Sequence, residues 1–185
     1  MSIIVLDRDG VINQDSDDYI RSLSDWHPIA GSIEAIAALS RAGHRVAIAT
    51  NQSGLGRGFF TLEDLESIHA ALRQRVAEQG GRIAGIFYCP HLPEENCSCR
   101  KPATGLLRAM ESELGESPAG GWFIGDSLKD LQAARRYSCK PILVRTGKGE
   151  ETLVRIRTPG VALENPLEIP VYSNLASAAH ALLAD

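Results

Sequence analysis

An α/β fold built on a doubly wound parallel sheet is predicted by three features of this 185-residue sequence. Short apolar runs rich in β-branched residues alternate with longer segments of helical periodicity, which is typical of successive βαβ units. The first run, residues 3–6, has no polar alternation, as expected of a strand buried on both faces. Polar residues directly follow several of the runs, where open α/β sheets bind their ligands. These features predict a Rossmann-like sheet in a single domain spanning residues 1–185.

The predicted elements follow one another without internal repeats or low-complexity tracts. Strands are predicted at residues 3–6, 45–49, 83–88, 122–124, 141–144 and 171–172. Helices are predicted at residues 32–42, 61–79, 104–114, 128–137, 151–156 and 175–184. The second of these helices begins with the capping box Thr61-x-x-Asp64. The acidic segment 14–19 is expected to be either a flap at a site entrance or a solvated loop, and residues 54–58 a flexible loop.

Composition limits the classes of function. Hydrophobic residues make up 44% of the chain and charged residues 23%, which is ordinary for a soluble protein. A net charge of −4 makes nucleic acid an improbable main partner. No apolar run approaches the roughly 20 residues needed to span a bilayer, and the start Met1-Ser2-Ile3 lacks the basic region of a signal peptide. We therefore expect a cytoplasmic, monomeric protein whose cysteines bind metal rather than form disulfides.

Polar groups follow four of the predicted strands. Asp7 and Asp9 come directly after the first strand and precede Gly10. Two carboxylates so close together repel each other unless a cation lies between them, and oxygen ligands of this kind suit Mg²⁺. An Asp/Gly-rich turn with no chemical role is the alternative. The further strand ends supply Thr50, Lys101, Asp126 and Asp130, each of which could alone be a helix cap or a solvated side chain.

Taken together and in this order, Asp7-x-Asp9-Gly10, Thr50, Lys101 and Gly125-Asp126-x-x-x-Asp130 resemble the haloacid dehalogenase (HAD) superfamily of phosphohydrolases. The resemblance covers about residues 2–150 and implies an HAD-like fold, here without an insertion long enough for a separate cap domain. It implies that Asp7 is the nucleophile and Asp9 the general acid and base, with Thr50 and Lys101 stabilising the phosphoryl oxygens. It also implies that the Asp7 carboxylate, the Asp9 backbone carbonyl and Asp126 bind Mg²⁺, while Asp130 orients Lys101 or a metal-bound water.

A second cluster of ligand-type residues lies between the third strand and Lys101. Cys89, His91, Cys97 and Cys99 fall within eleven residues, and a Cys₃His set closes the tetrahedral shell of a structural zinc ion. Unconnected thiols in a loop are the alternative. Such a zinc loop, at residues 89–101, would position Arg100 and Lys101 at the site, whereas Cys139 stands apart as a small buried hydrophobe.

The zinc-loop sequence resembles one branch of the superfamily, which contains heptose-bisphosphate phosphatases and histidinol-phosphate phosphatases. The segments Thr50–Gly54, Gly125–Ala134 and Leu143–Gly149 are more similar to the heptose enzymes. This resemblance implies removal of the C7 phosphate of a phosphorylated sugar in nucleotide-heptose biosynthesis, with histidinol phosphate as the alternative substrate and a non-catalytic phospho-ligand-binding domain as the alternative of another class. The implied substrate contacts are Asp15, Asp18, Tyr19, Asn51, Gln52, Ser53 and Arg100.

Overall fold

A computed structural model describes residues 2–184. Its centre is a six-stranded sheet in the order β3-β2-β1-β4-β5-β6, in which every neighbouring pair is parallel. The strands are β1 (Ile3–Leu6), β2 (Arg45–Asn51), β3 (Ile83–Cys89), β4 (Trp122–Gly125), β5 (Lys140–Val144) and β6 (Val171–Tyr172). The helices are α1 (Ser32–Arg41), α2 (Ser53–Gly56), α3 (Leu62–Glu78), α4 (Gly105–Leu114), α5 (Leu128–Arg136), α6 (Gly149–Ile156) and α7 (Leu175–Ala184).

Helices cover both faces of this sheet. Ile4 and Leu6 of β1 belong to the apolar cluster formed with α1, α3 and α7, whereas Ile3 and Val5 belong to the cluster formed with α4 and α5. All four side chains are buried, which explains why the β1 sequence has no polar alternation. A third cluster joins α5 and α6 to Leu143 of β5. The predicted doubly wound α/β fold is confirmed.

The strand order determines where a site can form. From β1 the chain builds outward through β2 and β3, and then returns to the other side of β1 with β4. Such a reversal leaves a crevice outside the carboxyl ends of the strands beside it. Asp7 directly follows β1 and Asp126 directly follows β4, so the two aspartates meet at this crevice.

One sequence prediction is wrong: residues 54–58 do not form a simple flexible loop. Residues Ser53–Gly56 form the short helix α2, in which the Gly56 amide donates to the Pro90 carbonyl at 3.1 Å. A Cβ atom on Gly56 would lie 2.4 Å from that oxygen, so the close contact with the loop after β3 requires glycine. A tertiary contact thus overrides the low helix propensity of the glycines.

The remaining helices begin and end within two residues of the predicted limits. At α3, Thr61 is the N-cap: its side chain accepts from the Asp64 amide, and the Asp64 carboxylate accepts from the Thr61 amide at 2.8 Å. Among residues 2–184, no helix combines the length and the apolar character needed to cross a membrane.

Candidate active site

The centre of the candidate site is a buried ammonium group between two carboxylates. Lys101 Nζ lies 2.9 Å from Asp7 Oδ1 and 2.6 Å from Asp130 Oδ1. Asp7, Asp126 and Asp130 come within 4.8 Å of one another through one carboxylate oxygen each. Residues from the ends of β1 and β4 and from the loop after β3 therefore form one cluster, in which the described side chains supply three carboxylates and one ammonium group.

Burial and mutual repulsion shift the proton affinities of this cluster. Burial raises the pKa of the Asp7 carboxyl to about 7, and the neighbouring Asp130 carboxylate adds to the rise. The pKa of Asp126 is also raised well above its usual value by burial and by the charge of Asp7. Burial opposes the charged form of Lys101, but Asp130 and Asp7 raise the pKa of its ammonium group above the ordinary value. The excess of negative charge is what a divalent cation would relieve, so the oxygen donors fit Mg²⁺.

Asp9 is held separately from that cluster. Its Oδ1 accepts from Arg8 Nε at 2.8 Å and from Asn13 Nδ2 at 2.9 Å, and its Oδ2 accepts from Gln52 Nε2 at 3.1 Å. Burial opposes ionisation of Asp9, yet the Arg8 guanidinium and these hydrogen bonds lower the pKa of the carboxyl. The side chain of Asp9 is therefore ionised and fixed in orientation.

The end of β2 contributes polar groups in two ways. The side chains of Thr50 and Gln52 are buried and joined to each other, because Gln52 Nε2 also donates to Thr50 Oγ1 at 2.8 Å. Asn51 instead binds the backbone of Lys101 twice, with Nδ2 donating to the carbonyl at 3.1 Å and Oδ1 accepting from the amide at 3.0 Å. Asn51 and Gln52 thus orient other residues of the site in this structure.

Two glycines allow the backbone to approach Asp126. Gly10 has φ +84°, and a Cβ atom there would lie 2.0 Å from Asp126 Oδ2; at Gly147 the corresponding distance is 2.2 Å. The same oxygen accepts from the Lys148 amide at 2.8 Å, and Thr146 Oγ1 donates to the Gly10 carbonyl at 2.6 Å. The glycine of the Asp-x-Asp-Gly motif is therefore explained by close packing as well as by its backbone conformation.

These groups line a cleft of about 580 Å³. The predicted site residues that line it are Asp7, Asp9, Asp15, Tyr19, Thr50, Asn51, Gln52, Ser53, Arg100, Lys101, Asp126 and Asp130. Asp18 is exposed and lies outside this lining, whereas its neighbour Asp17 is part of it. Arg100 Nη1 is buried and has no hydrogen-bond partner among residues 2–184.

Among the lining residues that were not predicted are four charged residues in α5 and in, or directly before, α6. They are Lys129, Lys148, Glu151 and Arg155. A usable signal for Lys129, Lys148 and Glu151 was their position at the start of helices that follow β4 and β5, since these helix ends face the crevice. Arg155 lies in the last turn of α6 and had no such signal. Arg145, which follows β5, does not line the cleft; it is half exposed, and its Nε lies 2.7 Å from Glu150 Oε1.

The four predicted zinc ligands also lie together. The distances between Cys89 Sγ, His91 Nδ1, Cys97 Sγ and Cys99 Sγ include values from 3.1 to 3.6 Å, and all four cysteines of the chain are free thiols. Tetrahedral zinc with bonds of about 2.3 Å to sulfur requires donor atoms about 3.8 Å apart. The number and type of the donors therefore fit a zinc ion directly before Arg100 and Lys101, and binding it requires the donor atoms to move slightly apart.

Comparison with known proteins agrees with this geometry. A family model described as HAD-hydrolase-like matches residues 98–165. D-glycero-β-D-manno-heptose-1,7-bisphosphate 7-phosphatase of Pseudomonas aeruginosa is 52% identical over 182 residues, which cover 98% of each chain. The chain belongs to this phosphatase family. The predicted membership of the HAD superfamily of phosphohydrolases is confirmed.

Other members of the heptose-bisphosphate phosphatase family are also similar to this chain in sequence or in structure. The Pseudomonas putida protein of that name is 51% identical over 99% of this chain. The crystal structure of the D,D-heptose 1,7-bisphosphate phosphatase from B. bronchiseptica, complexed with magnesium and phosphate, superimposes with a TM-score of 0.91 at 43% identity, and the match covers 100% of this chain and 99% of that one. The Burkholderia thailandensis enzyme gives a TM-score of 0.74 at 34% identity over the whole of both chains.

Proposed function

We propose that this protein hydrolyses the C7 phosphate of D-glycero-β-D-manno-heptose 1,7-bisphosphate. The observation that carries the proposal is the position of the Asp7 carboxylate in the crevice at the ends of β1 and β4. The Lys101 ammonium is 2.9 Å from it, and the Asp126 and Asp130 carboxylates lie beside it. The substrate follows from relatives up to 52% identical over almost the whole chain. The β anomer, which the sequence did not indicate, follows from the names of those relatives.

In the first step, an oxygen of Asp7 attacks phosphorus, the bond from phosphorus to the C7 oxygen breaks, and an aspartyl phosphate forms. Asp9 transfers a proton to the departing alkoxide so that the sugar leaves as an alcohol. Asp9 is ionised in the free protein, but an anionic phosphate beside it raises its pKa and lets it take up that proton.

In the second step, Asp9 accepts a proton from a water molecule that attacks the aspartyl phosphate. The bond between phosphorus and the Asp7 oxygen breaks, inorganic phosphate is released, and the Asp7 carboxylate is regenerated. The same carboxyl group thus acts as acid and then as base, which returns Asp9 to the protonated form with which the first step began; Asp9 loses that proton when the anionic phosphate leaves.

The remaining groups stabilise the phosphoryl oxygens. Lys101 is buried and positively charged, so its attraction for a phosphoryl oxygen is only weakly screened by solvent. The Thr50 hydroxyl donates to another phosphoryl oxygen from the neighbouring strand. Asp130 keeps Lys101 in place, because it accepts from Nζ while Ser127 holds its second oxygen with a hydrogen bond of 2.8 Å.

Mg²⁺ would be held by the Asp7 carboxylate, the Asp9 backbone carbonyl and Asp126. It would neutralise charge between the nucleophile and the phosphate. The crystal structure of the B. bronchiseptica relative, in complex with magnesium and phosphate, supports this cofactor. The raised pKa values of Asp7 and Asp126 support it independently, since they reflect carboxylates that repel each other in a buried site.

Basic residues at the rim would bind the sugar and its second phosphate. Arg100 offers a guanidinium whose Nη1 is buried without a partner in the described chain, and Lys129, Lys148 and Arg155 line the same cleft. The acidic loop that contains Asp15 and Asp18, together with Tyr19 and Ser53, would contact sugar hydroxyls. Lys148 Nζ lies 4.0 Å from Asp15 Oδ2, so this pair would have to separate to release the lysine for a phosphate.

A structural zinc ion would hold the loop that ends in Arg100 and Lys101. Cys89, His91, Cys97 and Cys99 supply a complete tetrahedral donor set, which leaves no position for catalysis. We further propose that residues 1–185 act as one catalytic domain, as a monomer, in the cytoplasm where nucleotide-activated heptose is made.

The test is phosphate release in the presence of Mg²⁺ from the β and α anomers of the heptose bisphosphate and from histidinol phosphate. We expect kcat/KM for the β anomer to exceed that for histidinol phosphate by at least about 100-fold, because missing polar contacts in a built site cost several kcal/mol. Equal or better hydrolysis of histidinol phosphate would overturn the substrate assignment. Absence of turnover with every phosphate ester would overturn the reaction itself.

A further inference from the structure

A buried arginine links the proposed general acid to a distant helix. The side chain of Arg8 is fully buried, and its Nε donates to Asp9 Oδ1 at 2.8 Å. Its Nη1 lies 3.1 Å from Nε2 of His69, a buried residue of α3. A buried charge destabilises a fold unless it is paired, so an aliphatic side chain would be the less costly choice for a core position.

The direction of the hydrogen bond to His69 is fixed by chemistry. A guanidinium has only donors, so His69 Nε2 must be the acceptor, and the imidazole is neutral with its proton on Nδ1. His69 therefore adds no second charge beside Arg8. It holds Nη1, whereas Nη2 is buried without a partner among the described residues, and the contacts at Nε and Nη1 together restrict rotation of Arg8 away from Asp9.

The two oxygens of Asp9 are held differently as a result. Oδ1 accepts from both Arg8 Nε and Asn13 Nδ2, and these two donors occupy its two lone pairs. Oδ2 has a single partner among the described residues, Gln52 Nε2 at 3.1 Å, and Gln52 also binds Thr50, which lines the cleft. The oxygen free to exchange a proton with a leaving group is therefore Oδ2.

We propose that Arg8 and His69 are positioning residues that hold Asp9 with Oδ2 directed to the leaving group. Neither residue lines the cleft, so they act through Asp9 and not on the substrate. The proposal rests on the proposed role of Asp9 as general acid. It predicts that loosening Arg8 impairs proton transfer to the leaving group while leaving attack by Asp7 intact.

Leaving-group dependence tests this directly. A sugar alkoxide needs the proton, whereas the phenolate of p-nitrophenyl phosphate leaves without it. Because kcat/KM reports only the steps up to phosphorylation of Asp7, we expect His69→Leu to lower kcat/KM for the heptose bisphosphate by about tenfold or more and for the aryl phosphate by less than about twofold. His69→Gln restores an acceptor for Arg8 and should recover most of the loss with the sugar substrate.

Two control variants distinguish a loss of stability and an incorrect role of Asp9 from an incorrect role of His69. Leu72→Ala removes a buried side chain from the same helix but no hydrogen bond to Arg8, so it should lower stability without changing the ratio of the two kcat/KM values. Asp9→Asn should show a still larger selective loss with the sugar substrate. If Asp9→Asn impairs both substrates equally, the general-acid role in the proposed function is wrong.

Another outcome is that Asp9→Asn lowers kcat/KM for the sugar substrate alone, while His69→Leu lowers kcat/KM for both substrates equally, or for neither. In that case the positioning proposal is overturned and the general-acid role stands. Arg8→Lys provides a second variant should His69→Leu fail to fold, since lysine keeps the buried cation but cannot contact Asp9 and His69 in the same geometry. It should show the same selective loss. Equal effects of Arg8→Lys on both substrates would also overturn the proposal.

Discussion

Lys101 Nζ lies 2.9 Å from Asp7 Oδ1 and contacts Asp130 at 2.6 Å, so the ammonium that would stabilise the transferring phosphoryl group also neutralises the nucleophile before substrate binds. Opposite charges this close favour the ionised form of Asp7, whereas its burial favours the protonated form. The ionisation of Asp7, and with it its reactivity, thus depends on both effects. A bound cation would shift the equilibrium towards the ionised carboxylate.

Asp7→Asn should abolish turnover, with a loss of at least about 1000-fold in kcat, because an amide oxygen cannot form the covalent phosphate. The fold should be retained, since the substitution removes one charge from a crowded group of carboxylates and leaves Lys101 paired with Asp130. Phosphate release gives the first result, and thermal unfolding gives the second, with Tm within about 3 °C of the wild type. Glu113→Gln, at an exposed position of α4 outside the cleft, is the control and should keep wild-type activity. Substantial activity of Asp7→Asn would contradict the assignment of Asp7 as the nucleophile.

Much of this site follows from the sequence because parallel strands deliver their carboxyl ends to one edge. Asp7, Thr50 and Asp126 each come at the end of a recognisable apolar run, so a local pattern places them together without further information. The Cys₃His set is equally local. The order of the strands, and with it the position of the crevice between β1 and β4, was not predicted, because the alternation of strands and helices does not determine which strands pair.

Other relationships depend on contacts between distant segments, which no local pattern contains. His69 is 61 positions from Arg8, and Lys148 is 22 positions from the Asp126 oxygen that its amide binds. The sequence predicted Gln52 as a substrate contact, whereas in the structure its amide is used to hold Asp9. Helix α2 was missed because its stability comes from packing against Pro90 and not from its own glycine-rich residues.

Gly10→Ala should impair magnesium binding more than it impairs folding. The new Cβ atom would lie 2.0 Å from Asp126 Oδ2, so the carboxylate has to move, and at φ +84° alanine is also strained by about 1 kcal/mol. We expect the Mg²⁺ concentration for half-maximal activity to rise by about tenfold or more. Gly160→Ala is a matched control, since Gly160 has φ +86° and no heavy atom within 4 Å of a built Cβ. Equal effects of the two substitutions would show that backbone strain alone accounts for the loss.

Cys97→Ser should release zinc from the loop before Lys101. We expect about one equivalent of zinc per wild-type chain by elemental analysis and a clear reduction in the variant, with a lower Tm because metal binding contributes to folding. Activity should fall as well, through misplacement of Arg100 and Lys101. Cys139→Ser replaces a buried cysteine outside the cluster, and its metal content should equal that of the wild type. Wild-type protein purified without zinc and fully active would contradict the zinc site.

The buried neutral imidazole of His69 should make the protein sensitive to acid. Burial lowers the pKa of His69 from 6.5 to about 3, and the charge of Arg8 acts in the same direction; Asp9 opposes this shift, and Arg73 adds a smaller lowering effect. The unfolded chain takes up a proton near pH 6.5 and the folded chain does not, so the stability contributed by the neutral form is present above that pH and is lost as pH falls towards 3. Between about pH 7.5 and about pH 5, the wild type should lose roughly 2 kcal/mol more than His69→Gln in urea unfolding. His180→Gln, at an exposed position, should follow the wild type. If His69→Gln loses as much stability as the wild type, His69 is protonated in the folded protein, and the hydrogen bond from Arg8 to its Nε2 is wrong.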